Sequence, residues 1–118
     1  MARKISGGKY KKARKKKLAT LPGKPRKVVI GKEKKKKIRE RGGEKKAILL
    51  STDKVYITDP KTKKVKKATI KSILENPSNR LIKDILVKGV IIDTSEGKAR
   101  ITNRPSREGS VQAVLISE

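Results

Sequence analysis

The chain is predicted to be all-β: a small β-barrel of about six short strands behind a basic, extended N-terminal arm. Three observations lead there. Charge is unevenly shared, with 21 Lys and Arg against three acids in residues 1–46, and 14 against eight in residues 47–118. Apolar residues shift the other way, from 12 of the first 46 to 27 of the remaining 72. In that second part they come as short runs divided by turn residues, which suggests strands joined by hairpins and closed into a barrel. Closure also removes the open edges that a lysine-rich sheet would have to protect. We expect residues 1–25 to form the arm and residues 26–118 the barrel domain, with the basic stretch 32–46 inside it.

The elements follow in order. Gly7-Gly8, Pro22-Gly23 and Pro25 imply irregular, extended chain, with at most a helical turn around Tyr10 to Leu18. Val28-Val29-Ile30, closed by Gly31, reads as a short strand. Lys32 to Arg41 has helical propensity, and Glu33 and Lys37 are spaced i,i+4. Its only strongly apolar residue is Ile38, so a helix there has no face to pack and should be frayed or disordered. Ala47 to Leu50 and Val55-Tyr56-Ile57 are strands around Ser51-Thr52-Asp53, and Tyr56 is expected in the core. Asp59-Pro60-Lys61-Thr62 is a turn with proline second. Lys67 to Lys71 alternates polar and apolar, as a half-buried strand does. Leu81, Ile82 and Ile85 have helical spacing, so Ser78 to Leu86 reads as one short helix. Gly89 to Asp93, Lys98 to Thr102 and Val111 to Ile116 complete the strands, with a hairpin loop at Thr94 to Gly97. Ile91 and Leu115 are the expected core positions of the two most apolar strands. With no Phe and no Trp, the core must be Ile, Leu and Val.

Composition also removes functions. The chain has no Cys and no His, so disulfides, thiolate chemistry, the usual zinc ligands and imidazole catalysis are excluded. No apolar run approaches a membrane span of about 20 residues, and no apolar stretch follows the basic start as in a secretory signal. The carboxylates Asp53, Asp59, Asp84, Asp93 and Glu96 lie beside turns or lysines and read as turn bonds and charge balance. No catalytic constellation, metal site, cofactor, small-molecule substrate or membrane partner is expected. Neither Gly-Gly pair has the Gly-Lys-Ser/Thr ending or the strand–glycine–helix setting of a nucleotide loop.

The basic part points to nucleic acid. Lys and Arg at this density become ordered beside a row of phosphates, releasing counterions. Only Tyr10 and Tyr56 are aromatic, too few for base-stacking recognition, so the chemistry favours phosphate and shape over sequence. A glycine in basic sequence permits close backbone approach to a phosphate or serves as a flexible joint, and spacing leaves both open.

The ordered blocks then resemble one family, the archaeal and eukaryotic-type small-subunit ribosomal protein eight. Its N-terminal signature is met by Arg3, Ser6-Gly7-Gly8 and Arg14-Lys15-Lys16, with Ser in place of Thr. Its central pattern is met by Ile30-Gly31 through Arg41-Gly42-Gly43, and its turn by Asp59-Pro60-Lys61-Thr62. Glu75-Asn76-Pro77-Ser78-Asn79-Arg80, Gly97 to Thr102 and Gly109 to Ile116 match later blocks. The chain departs at Leu18-Ala19-Thr20-Leu21-Pro22-Gly23, where the signature has an acid, Leu or Met, and Gly. Its short length is similar to that of archaeal members.

The resemblance implies a β-barrel with basic extensions, in the cytoplasm as part of the ribosome. The implied partners are small-subunit ribosomal RNA and other small-subunit ribosomal proteins. The residues expected at the RNA are Arg3, Lys4, Gly7, Gly8, Lys9, Lys11, Lys12, Arg14, Lys15, Lys16 and Lys17 in the arm. Arg39, Arg41, Gly42 and Gly43 follow in the central basic stretch, and Arg80, Arg100 and Arg104 on the barrel. A DNA-compacting chromatin protein would share the charge without the ordered blocks. An RNA-modifying enzyme is disfavoured by the lack of His, Cys and any acid–base pair.

Overall fold

A computed structural model describes residues 3–10, 15–78, 81–82 and 84–116. Among the described residues there are eight strands: β1 (Val29–Ile30), β2 (Lys34–Arg39), β3 (Lys45–Thr52), β4 (Lys54–Thr58), β5 (Val65–Glu75), β6 (Ile91–Thr94), β7 (Gly97–Ile101) and β8 (Gln112–Leu115). The expected all-β barrel is there, with five strands. It runs β4-β5-β6-β7-β8 and closes where β8 pairs in parallel with β4, Tyr56 to Gln112 and Thr58 to Val114. Of the strands expected from Ala47 onward, the first, β3, lies outside the barrel, centrally in a separate sheet of order β1-β3-β2.

Closing five strands leaves a narrow interior, and the sequence fits it by pairing small with large residues. Val55 lies opposite Ala68, Ile92 opposite Ala99, and both Ile57 and Ile101 opposite Ala113. All seven are buried. Val28, Leu49, Leu86 and Val90 join the same cluster from outside the barrel strands, so the small sheet and the barrel share one core. The main chain joins them too. Leu86 donates its N–H to the Val28 carbonyl at 2.8 Å, and Leu49 donates to Glu108 at 3.1 Å.

Four expectations fail for physical reasons. Lys34–Arg39 is a strand, not a frayed helix, because β3 supplies its hydrogen-bond partners. It is an edge strand, where lysines discourage pairing with other chains. Ser78 to Leu86 is not one helix. Residues 79, 80 and 83 lie outside the description, but Ile85 bridges to Val29, and Ile85 and Leu86 are consecutive and both buried. Leu81 is exposed, so the three apolar residues share no face. Tyr56 is not core: alternation in β4 buries Val55 and Ile57 and turns Tyr56 outward, 43% exposed. In β6 the buried phase is Ile92, while Ile91 is only partly buried. Leu115 is partly buried and packs against the core. Of the expected turn at Tyr10 to Leu18, residues 11–14 lie outside the description, and a 3₁₀ turn occupies Leu18–Thr20.

The interior pairing makes opposite substitutions harmful. Ile92→Ala should cost about 2–5 kcal/mol by leaving a cavity. Ala99→Leu should cost about 1–3 kcal/mol by overfilling the barrel. Tyr56→Ala should cost less than either. Urea unfolding curves for the three variants check the order.

Candidate nucleic-acid interface

The interface is built from three basic elements. At the N-terminus, Gly7 donates its N–H to the Lys4 carbonyl and Lys4 donates to the Gly8 carbonyl, each at 2.9 Å. Arg3 and Lys9 bridge antiparallel beneath this turn. Gly7 has φ +77°, a conformation that side chains with a Cβ rarely take, while Gly8 has no such φ. A Cβ on Gly7 would meet nothing within 4 Å, so backbone conformation and not crowding requires the glycine. The Lys4 ammonium sits 5.7 Å from the centre of the Tyr10 ring, a cation–π contact. The turn therefore holds Arg3, Lys4 and Lys9 together on an exposed knuckle. Lys15, Lys16 and Lys17 follow in exposed chain, whereas Lys11, Lys12 and Arg14 lie outside the described residues.

The second element is the β2–β3 ribbon. Lys34 to Lys37 and Arg39 are exposed along β2, with Lys45 and Lys46 opposite Arg39 and Ile38. Like charges facing across a ladder destabilise it, so the ribbon keeps a charge cost that an external anion would relieve. The tip is Arg41-Gly42-Gly43, held by a 2.7 Å bond from the Glu40 N–H to the Glu44 carbonyl. Gly42 and Gly43 have φ +95° and +94°, which makes the tight tip possible. Beside the ribbon, Ile38 and Ile48 line a groove of about 340 Å³ with Arg26, Lys46, Glu40 and Arg107.

The third element is the barrel surface. Arg100 is exposed on β7, beside a depression lined by Thr102, Val114 and Leu115. Arg104 is exposed in the β7–β8 loop, in a different depression shared with Arg107. Arg80 lies outside the described residues. Tyr56 stands outward in register with Lys67 and Gln112, an exposed ring next to a cation. Sequence reading missed Arg26 and Arg107, because isolated arginines gave no local signal. They are brought together by the fold. It missed Tyr56 because one aromatic in an apolar run looks like core, although strict alternation between Val55 and Ile57 was the available sign.

The acids serve the scaffold. Lys35 and Lys54 reach Glu33 at 2.7 and 3.3 Å, linking the small sheet to the barrel. Hydrogen bonds from Lys35 and then Lys54 hold the Glu33 carboxyl below its ordinary pKa. Asp59 accepts from the Thr62 hydroxyl at 2.8 Å and the Lys61 N–H at 2.9 Å, which lowers its pKa likewise. Among the described residues, Arg3, Lys4, Lys9, Lys15, Lys16 and Lys17 make no ion pair. No group of three acids that could hold a metal occurs among the described residues.

Comparison with known proteins gives a single result. The family model described as Ribosomal protein S8e matches residues 1–116. A protein of Methanocella arvoryzae named small ribosomal subunit protein eS8 is 38% identical over 117 residues, covering 98% of this chain and 94% of the relative. Its namesake in Methanococcus aeolicus is 40% identical over 119 residues, covering 98% and 93%. That of Halorubrum lacusprofundi is 40% identical over 116 residues, covering 97% and 93%.

Two outcomes follow from this geometry. Gly7→Val should disrupt the Lys4–Gly8 turn and weaken RNA binding more than Gly8→Val, with thermal stability unchanged in both. Titration of the carboxyl carbons by NMR should give midpoints for Glu33 and Asp59 below those of unfolded peptides. Their folded pKa values are depressed, so their contribution is present above the unfolded values and is lost as pH falls through the folded ones.

Proposed function

The chain belongs to the ribosomal protein S8e family, and from that premise we propose that it is a structural constituent of the small ribosomal subunit. In this reading it works in the cytoplasm, among other small-subunit proteins, by binding and stabilising folded small-subunit ribosomal RNA. It acts by binding and not by catalysis. The observation that carries the reading is the placement of exposed cations on shaped elements, a glycine-held knuckle and a lysine ribbon, outside a fully aliphatic core. RNA helices that pack together bring phosphates into mutual repulsion, and Lys and Arg placed between them relieve it. The DNA-compacting alternative finds no support in the comparisons, whose named relatives are all ribosomal.

We also propose that residues 1–25 are an RNA-binding arm separable from the domain 26–118. The radius of gyration, 19.8 Å, supports this division: a compact 100-residue domain has about 13 Å. The core cluster, moreover, takes its first residue at Val28.

Binding should be strongly salt-dependent. If roughly 6–10 phosphates are contacted, affinity should fall by about 10³–10⁵ between 50 and 200 mM salt. Deleting residues 1–25 should flatten that dependence and leave the melting temperature nearly unchanged. A folded small-subunit RNA fragment should outcompete both unstructured RNA of equal length and duplex DNA. Titrations at several salt concentrations test all three. Equal affinity for the three nucleic acids would refute the ribosomal reading.

A further inference from the structure

One further cleft opens next to the ribbon groove, with which it shares Arg26 and Arg107. It lies between the segment that leaves the arm and the β7–β8 loop, and it encloses about 520 Å³. Lys24 and Arg26 line one side, Arg104 and Arg107 the other, and no acid lines it. None of these four cations makes an ion pair among the described residues. A concave surface of one sign focuses potential and attracts the opposite charge.

Backbone restraint acts on both walls. Pro22 and Pro25 restrict the first, since their rings fix φ. The second is stapled by Asn103. Its amide nitrogen donates to the Glu108 carboxylate and the Ser110 carbonyl, each at 2.8 Å, and its amide oxygen accepts the Gln112 N–H at 3.0 Å. The Arg107 and Glu108 N–H groups both donate to the Arg104 carbonyl, at 3.0 and 3.1 Å, and Pro105 is buried. Arg104 and Arg107 are thus held one turn apart. Guanidinium groups bind phosphate oxygens in a forked geometry that an ammonium does not reproduce. An acidic peptide would want apolar anchors, but the apolar residues lining the cleft are prolines.

We propose that this cleft is a preorganised seat for the backbone phosphates of a folded RNA, fitted by arginine geometry, with Asn103 as its positioning residue. The inference rests on the RNA-binding reading above and assigns a different task to each part. The lysine arm supplies charge that any RNA satisfies, and the cleft supplies the preference for folded RNA.

The test uses full-length protein, a folded small-subunit RNA fragment and unstructured RNA of equal length, titrated over a range of salt. R104Q/R107Q should reduce the magnitude of the log–log salt slope by about one to two and weaken folded-RNA binding by about tenfold or more. R104K/R107K should keep the slope but lose most of the preference for folded RNA. N103A should lose preference with every cation retained. K15Q/K16Q should weaken both RNAs alike. A lysine pair indistinguishable from the original chain, or a glutamine pair with unchanged slope, overturns the proposal. Should N103A melt early, the arginine pair, whose side chains are exposed, still decides. A wild-type chain without preference for folded RNA would refute the ribosomal reading, and the glutamine pair's slope would still test the cleft.

Discussion

The parallel pairing of β4 with β8 is the constraint on which the rest depends. It joins Tyr56–Thr58 to Gln112–Val114 and turns five strands into a closed wall. Once closed, the wall leaves a narrow interior, filled at several pairs by one aliphatic side chain against one alanine. That interior asks for no aromatic ring, and the chain has no Phe or Trp. Closure also fixes which residues face out, among them Tyr56, Lys67 and Arg100. The positions of the outer cations are consequences of inner packing.

A net charge of +24 on 118 residues works against any compact state. The chain tolerates it by keeping charge at the periphery. Lysines occupy the edge strand β2 and exposed loops, while the few acids tie elements together, as Glu33 does between the small sheet and the barrel. Such exposed pairs contribute little singly. Under the proposed function the repulsion that remains is an asset, because binding a polyanion relieves it.

The strands of the barrel were readable because period-two alternation and turn chemistry are local signals. Asp59-Pro60 announced its turn, and the Ser95-Glu96 hairpin its own. β2 was not readable, because six residues with one apolar side chain owe their strand geometry to β3, a tertiary partner. The 78–86 segment misled because apolar spacing resembled a helix, while its conformation is set by the bridge from Ile85 to Val29. The same contrast governs the interface. The arm and Arg41-Gly42-Gly43 were legible as basic sequence, but the cleft was not. Lys24 and Arg26 lie about eighty residues before Arg104 and Arg107 in the chain, and only folding makes them neighbours.

In the proposed function, the arm and the domain behind it together present several basic surfaces to one folded RNA. The most direct test is site-specific photo-crosslinking within purified small ribosomal subunits, from positions at the knuckle (Lys9), the ribbon tip (Arg41) and the cleft wall (Ser106). The account predicts that each position crosslinks to a few defined nucleotides, distant in RNA sequence and adjacent in the folded RNA. Diffuse crosslinking over many unrelated nucleotides, or crosslinks from Lys9 alone, would contradict it.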